Sequence, residues 1–266
     1  MKKTLLIVST FFFLAMGCAH ANTTGGEAPA AKKSPFYTMY PAQLAPAAEA
    51  YFGEWNKVLF KEGPINAKSA RLAAISASAA MKCEYCITAQ VALGKTVGAT
   101  DDEIKGATQL AAEVSRFSVL LYGNEFGQDN LKAVLDKMTK KPAEPAKAAE
   151  AAPKNSPFFS MYPTQLAPAA EAYFGEWNKV LFKKGPMDTK TARLAAIAAS
   201  AAMKCEYCIT AQVVLAKAAG ATDDEIKGAI QIAAEVARFS ILLYGNEFGQ
   251  DKLKAIVEKM TQKPAA

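Results

Sequence analysis

The sequence predicts an all-helical protein built from two copies of one domain. Alanine is abundant along the whole chain, while the β-branched runs that are typical of strands are missing. The second observation is an internal repeat, because residues 34–143 align without gaps on residues 156–265 and only 22 of the 110 positions differ. A copy of this length is the size of a domain and is too long for a solenoid unit, so a tandem duplication is indicated.

Each copy contains the signals for four or five helices. Pro46 suits the first turn of a helix, where its missing N–H is not needed, and the Gly-Pro pair at positions 63 and 64 ends that helix. Thr100 and Glu103 form a capping box that opens a long amphipathic helix, on which Glu113 and Arg116 are predicted to form a helix-surface or subunit-interface pair. The other predicted helices of the first copy span residues 46–60, 67–81, 83–97 and 128–138.

The first 21 residues have the pattern of a secretory signal peptide. Lys2 and Lys3 precede an apolar run that is too short to span a bilayer, and residues 19–21 have the small-x-small form of a cleavage site. We expect cleavage after Ala21 and a periplasmic or secreted protein, and the alternative is a lipoprotein anchored at Cys18. Residues 22–33 are predicted to be a disordered leader and residues 141–155 a semi-flexible linker, which leaves domains at 34–140 and 156–266.

The expected cleavage limits the chemistry of the mature protein. It removes His20, the chain's single histidine, and thereby excludes histidine bases, histidine metal ligands and Ser-His or Cys-His nucleophiles. The remaining charges are scattered and form no basic stripe of the kind that binds nucleic acid. No cofactor and no metal are predicted. Four cysteines remain, in two Cys-x-x-Cys pairs: Cys83 with Cys86, and Cys205 with Cys208.

The spacing of each cysteine pair allows three interpretations. Two cysteines three residues apart can meet across one helical turn, and at a helix N-terminus the unpaired N–H groups and the positive end of the dipole stabilise a thiolate. Redox chemistry fits this spacing, and so does a structural disulfide in an exported protein. Half of a zinc site also fits, but a whole domain separates the two pairs. Taken by themselves, the residues leave redox chemistry and a structural disulfide open.

Three segments of each copy are shared with a known family. Residues 63–75 (GPINAKSARLAAI), 83–90 (CEYCITAQ) and 98–104 (GATDDEI) resemble the alkylhydroperoxidase-D-like branch of the carboxymuconolactone decarboxylase family. The resemblance covers most of each copy. It implies two tandem helical domains packed as a pseudo-dimer, and a homo-oligomer that would be a trimer of two-domain chains.

The same resemblance implies a chemistry for the cysteines. Members of the redox branch use the Cys-x-x-Cys pair to reduce hydroperoxides. The second cysteine of each pair, Cys86 or Cys208, would be oxidised to sulfenic acid. The first, Cys83 or Cys205, would then resolve the sulfenic acid as a disulfide.

The chain departs from the family pattern at two positions in each copy. The family commonly has a glutamate twelve residues before the first cysteine, where this chain has Arg71 and Arg193. It commonly has a histidine four residues after the second cysteine, where this chain has Gln90 and Gln212. Glutamine cannot carry a proton near neutral pH, so the usual proton relay is missing. Arg71 would instead stabilise a permanent thiolate if it approaches the pair, and the alternative is a surface or interface ion pair.

Three functions follow from these observations. The first is an antioxidant enzyme that reduces hydroperoxides, and the second is a thiol-disulfide oxidoreductase. The third is a non-catalytic helical scaffold in which the cysteine pairs are structural disulfides. The substrate would be a hydroperoxide, a thiol or a disulfide, and the sequence does not indicate the electron donor.

Overall fold

The computed structural model describes residues 35–139 and 157–262. The predicted signal peptide, leader and linker lie outside these residues, as do Cys18 and His20. In the two described ranges the chain forms α-helices and short 3-10 helices, without a β-strand. None of the helices in these ranges is both long enough and apolar enough to cross a membrane.

The two copies have the same order of elements. In the first, a 3-10 helix (Pro35–Met39) precedes α1 (Ala45–Phe60), α2 (Ala67–Ala80), α3 (Glu84–Thr96), α4 (Asp101–Gly123) and α5 (Gln128–Thr139). In the second, a 3-10 helix (Pro157–Met161) precedes α6 (Ala167–Phe182), α7 (Thr189–Ala202), α8 (Glu206–Ala218), α9 (Asp223–Gly245) and α10 (Gln250–Thr261). The predicted all-α class and the duplication are confirmed. The 3-10 helices were not predicted.

The start of α4 shows how local sequence sets a helix end. Thr100 Oγ1 accepts the N–H of Glu103 at 3.1 Å, and the Glu103 carboxylate accepts the N–H of Thr100 at 2.8 Å, which is the predicted capping box. The other oxygen of Glu103 accepts a hydrogen bond from Lys68 Nζ at 2.8 Å. This ion pair ties the beginning of α4 to α2, so the cap also fixes how the two helices pack.

The centre of the fold is the contact of α2 with α7. The two helices occupy equivalent places in the two copies, and the hydroxyl oxygens of the equivalent residues Ser69 and Thr191 lie 2.7 Å apart. A residue that meets its own counterpart marks a two-fold axis, so the copies form a pseudo-dimer with an isologous interface. Small side chains on α2 allow this close approach, and Ala74 shares a fully buried cluster with Leu194 and Ile197 of α7.

A second reciprocal contact joins α4 and α9 to the opposite copy. A Cβ atom added to Gly106 would lie 3.0 Å from the Met187 side chain, and one added to Gly228 would lie 3.2 Å from the Ile65 side chain. Each glycine therefore lets a helix approach the loop that precedes the other copy's central helix. Because these contacts are mutual, the described residues of both copies form one compact unit.

The packing of α2 on α7 predicts that added volume at Ala74 destabilises the protein. Ala74→Leu should lower the free energy of unfolding by about 1–3 kcal/mol, because a leucine has no room between the two helices. The matched control is Ala112→Leu on the exposed face of α4, which should be nearly neutral since alanine and leucine have similar helix propensities. Urea unfolding of the two variants measures the difference, and equal midpoints would contradict this packing.

Candidate functional site

A tight turn between α2 and α3 places the first cysteine. Lys82 has φ 55° and its counterpart Lys204 has φ 57°, in the left-handed region that costs a non-glycine residue about 1–2 kcal/mol. The N–H of Cys83 then donates to the carbonyl of Ser78 at 3.0 Å. This turn reverses the chain directly after α2, so the first turn of α3 lies against the centre of the fold.

The cysteines occupy the beginning of α3. Cys83 is the N-cap residue, one position before the first helical residue, and its Sγ accepts the N–H of Cys86 at 3.2 Å. The sequence predicted a helix start near Cys83 with both thiols in the first turn, and the structure has Cys86 in that turn and Cys83 at the N-cap directly before it. A disulfide joins Cys83 to Cys86, with Cα atoms 5.2 Å apart, and another joins Cys205 to Cys208. Cys83 is fully buried, and Cys86 is 5% exposed.

Cys86 lines a cavity of about 70 Å³, whereas Cys83 lies behind the wall. The walls are mostly apolar and come from both copies. Cys208 lines an equivalent cavity of the same volume in the other half of the molecule. Around Cys86, aromatic and aliphatic side chains of the first copy face those of the second: Phe36, Phe52, Trp55, Phe60 and Leu93 on one side, and Ile232, Val236, Phe239, Leu243 and Leu253 on the other.

The second copy also holds the two residues between the cysteines. The N–H of Glu84 donates to the hydroxyl of Tyr244 at 3.1 Å. The ring of Tyr244 packs edge-on against Tyr85, whose hydroxyl accepts the N–H of Gly249 at 3.3 Å. The opposite copy therefore fixes the Cys-x-x-Cys turn. The sequence did not indicate that Tyr244 and Gly249 meet this turn, because they lie far from the cysteines along the chain.

The two positions that depart from the family pattern meet in the wall of the cavity. Arg71 Nη1 donates to Gln90 Oε1 at 2.8 Å, and both residues line the cavity of Cys86. The guanidinium lies over the ring of Phe60, 3.6 Å from the ring centroid. Arg71 is only 8% exposed. The alternative of a surface ion pair is therefore wrong, and Arg71 is part of the site.

The second copy repeats this pair, and both arginines are buried cations. Arg193 donates to Gln212 at 2.9 Å. Burial lowers the pKa of Arg71 to about 10 and that of Arg193 to about 9, so both stay protonated at neutral pH. Neither forms an ion pair with a carboxylate of residues 35–139 or 157–262. Since buried charges are normally paired, a cation in an apolar cavity favours an anion beside it.

A carboxylate from the opposite copy completes the wall. Glu235 accepts a hydrogen bond from the hydroxyl of Tyr51 at 2.7 Å and is ion-paired with Arg238 at 2.7 Å. The hydrogen bond to Glu235, together with burial, raises the pKa of the Tyr51 phenol. Glu113 has the same place in the cavity of Cys208. The predicted Glu113–Arg116 pair exists and lies at the interface of the two copies, but its spacing gave no sign that it borders a cavity.

The arrangement does not bring four thiolates together. Each cysteine pair is closed as a disulfide beside its own cavity. In the part of the chain that the structure describes, no three His, Cys, Asp or Glu side chains are placed to share a metal ion.

Fold and site together define a duplicated helical domain with a disulfide at the N-terminus of a central helix and a cavity that both copies enclose. The chain belongs to the carboxymuconolactone decarboxylase family, whose model matches residues 46–126 and again residues 168–248. The two matches coincide with the two copies. The family includes decarboxylases and alkylhydroperoxidases, so membership leaves the reaction open.

The chain is also similar to individual proteins. The chain is 34% identical over 70 residues to "Uncharacterized protein 4 in cox locus" of Paracoccus denitrificans, a match that covers 26% of this chain and 63% of that protein. The chain thus spans less than two thirds of that relative's length. A crystal structure from Burkholderia xenovorans LB400, named as a candidate gamma-carboxymuconolactone decarboxylase subunit, is similar with a TM-score of 0.50. The two sequences are 16% identical, and the match covers 86% of this chain and 93% of that one. This similarity supports the fold alone.

The position of the sulfurs predicts an order of alkylation. In the reduced protein, iodoacetamide should modify Cys86 and Cys208 several times faster than Cys83 and Cys205, because only the former face a cavity at a helix N-terminus. Peptide mass spectrometry after limited reaction measures the order. In denaturant all four should react alike, and equal reaction in the folded protein would contradict the placement.

Proposed function

We propose that this protein reduces organic hydroperoxides, and that Cys86 and Cys208 are the residues that the peroxide oxidises. One observation carries the proposal: in each copy the second cysteine faces the cavity while the first lies behind it at disulfide distance. A peroxide in the cavity meets one sulfur, and the partner is already placed to resolve the product. The resemblance assigns the same order of roles.

The reaction uses the two thiols of one pair. The thiolate of Cys86 attacks the terminal oxygen of the hydroperoxide, the O–O bond breaks, and sulfenic acid and an alcohol result. Cys83 then attacks the sulfenic sulfur, so that water leaves and the disulfide forms. Two thiols and one hydroperoxide thus give one disulfide, one alcohol and one water. An external dithiol must return two electrons and two protons, and dithiothreitol can serve as this donor in the test below.

The cavity favours a small apolar substrate over a protein partner. In thiol-disulfide exchange, a sulfur of the partner protein would have to reach Cys86. Cys86 is only 5% exposed and lines an apolar cavity. A purely structural role for the disulfide has weak support, because closing a loop of so few residues contributes only about 2 kcal/mol. A structural role also does not explain why Arg71 is buried beside the disulfide's cavity without an ion-pair partner among the described residues.

Arg71 also favours this chemistry in the reduced protein. When the disulfide opens, the thiolate of Cys86 forms beside the first turn of α3 and shares its cavity with the guanidinium. Both favour the ionised sulfur, so no general base is needed to create the nucleophile. Arg193 has this place beside Cys208.

Export and assembly belong to the proposal as well. A periplasmic or secreted protein requires an electron donor outside the cytoplasm. For a trimer of two-domain chains, Tyr51 and Val58 of α1 offer an apolar face together with the N-cap residue Leu44. These residues recur every seven positions and are about half exposed.

Serine substitutions of the two cysteines that face the cavities test the proposed reaction. With Cys86→Ser and Cys208→Ser combined in residues 22–266, consumption of cumene hydroperoxide in the presence of dithiothreitol should fall by at least about 10³-fold, because no thiolate faces either cavity. Either substitution alone should leave about half the activity. The consumption is followed by the loss of peroxide.

The matched control replaces the resolving cysteines instead. Cys83→Ser with Cys205→Ser, reduced and then freed of dithiothreitol, should still reduce one equivalent of peroxide per site and accumulate sulfenic acid. Peroxide consumption that survives loss of Cys86 and Cys208 would refute the assignment, and a wild-type protein that consumes none would refute the function.

The buried arginine predicts a low thiol pKa. In a protein whose only cysteine is Cys86, Arg71→Met should raise the pKa of the thiol by about 1–3 units, since the cation that shares the cavity with the sulfur is lost. The thiolate absorbance at 240 nm, measured against pH, gives the value. Arg193→Met in the same protein is the control and should change nothing. A thiol pKa that is already near the free value of about 8.5 with Arg71 present would count against the interaction.

A further inference from the structure

We propose that Arg71 and Gln90 bind the leaving oxygen of the hydroperoxide, so that it departs as an alkoxide held by a fixed cation and not as an alcohol protonated by an acid. Arg193 and Gln212 have this role in the other cavity. The inference rests on the proposed function and goes beyond it, because it assigns Arg71 a part in the bond-breaking step as well as in forming the thiolate.

Breaking the O–O bond places negative charge on an oxygen that has to be stabilised or protonated. An alkoxide is a poor leaving group in an apolar cavity unless hydrogen-bond donors already point to it. The family's carboxylate and histidine would supply a proton, and in this chain Arg71 and Gln90 stand at those two positions. The replacement thus removes the acid and puts donors in its place.

The geometry places these donors in the wall of the cavity that the reacting sulfur also lines. Gln90 follows Cys86 by four residues on α3, a spacing that sets neighbouring Cβ atoms roughly 6 Å apart on one face of a helix. Gln90 Oε1 accepts from Arg71 Nη1 at 2.8 Å, which leaves the Nε2–H groups as the donors of that amide. All three residues line the same cavity.

The guanidinium is held before any substrate arrives. Its face lies 3.6 Å from the centroid of Phe60, and Nη2 lies 3.5 Å from Asn56 Oδ1. Rigid donors in a water-poor site stabilise a developing charge without having to reorganise. Phe182 holds Arg193 in the same way, at 3.4 Å.

The two glutamates near the cysteine pair are poorly placed to act as the acid. Both oxygens of Glu235 already accept hydrogen bonds, from Tyr51, Gln231 and Arg238. The hydroxyl of Tyr85 accepts the N–H of Gly249 and keeps its own proton to donate, so Tyr85→Phe is the comparison in the test below. Glu84, which follows the first cysteine, is exposed and not part of the lining.

The step balances without an enzyme-bound proton. A lone pair of the Cys86 thiolate forms the S–O bond to the terminal oxygen, and the electron pair of the O–O bond leaves with the alkoxide. The sulfur loses two electrons and the peroxide gains them. The negative charge moves from sulfur to the oxygen, to which the guanidinium donates hydrogen bonds. Water then protonates the alkoxide to the alcohol and leaves as hydroxide.

The test compares two peroxides of similar shape that differ in the leaving group. Cumene hydroperoxide must expel an alkoxide, whereas perbenzoic acid expels benzoate, which needs little stabilisation. Both react with the reduced protein, residues 22–266, that carries Cys205→Ser and Cys208→Ser so that only the first site works. Rapid quenching and thiol counting give the rate constants. Each rate constant is divided by the rate constant for iodoacetamide, which reacts with the same thiolate but expels no oxygen.

After this division, Arg71→Met should lower the rate constant for cumene hydroperoxide by about 10²–10³-fold and that for perbenzoic acid by less than about tenfold. Gln90→Met should slow cumene hydroperoxide by about tenfold. It also provides an independent measurement should Arg71→Met fold poorly. Arg193→Met, the same substitution beside the idle site, should change neither rate.

Three results would overturn the inference. Equal slowing of both peroxides by Arg71→Met would mean that Arg71 acts only on the thiolate. A selective loss with cumene hydroperoxide in Tyr85→Phe, but not in Arg71→Met, would make Tyr85 the proton donor. If the unsubstituted site reacts with iodoacetamide but with neither peroxide, the proposed function itself fails, and the inference fails with it.

Discussion

The packing of α2 against α7 is the contact on which both sites depend. Each of these helices is followed directly by a Cys-x-x-Cys turn, so bringing their small-residue faces together also brings each cysteine pair under the helices of the opposite copy. Val236 and Tyr244 of α9 then lie against the turn that holds Cys83 and Cys86. A looser packing of the two central helices would open both cavities at once.

This arrangement gives the duplication a structural meaning. In a homodimer of single domains the same contacts would link two chains, and dissociation would destroy both sites. In the fused chain the opposite copy is always present. Each copy thus supplies the cysteines of one cavity and, through its long helix, part of the wall of the other. A change at Glu235 therefore alters the site of the first cysteine pair and not that of its own copy.

A buried positive charge is the other main feature of the sites. Removing a guanidinium from water is costly, and the cost here is offset by a ring contact and neutral hydrogen bonds without a carboxylate. Both copies retain the arginine together with its glutamine. In each cavity the guanidinium and the amide thus form one hydrogen-bonded pair that offers donors in an apolar wall.

The sequence by itself determined the helical class, the duplication, the capping box at Thr100 and the location of the cysteines in the first turn of a helix. These features depend on residues close together along the chain, where propensity, spacing and capping act directly. Only the tertiary structure decided that Arg71 is buried beside Gln90, that Cys86 and not Cys83 faces a cavity, and that Glu235 completes the wall. Each of these depends on how α2, α7 and α9 pack across the pseudo-two-fold axis, and such contacts between distant segments leave no local pattern in the sequence.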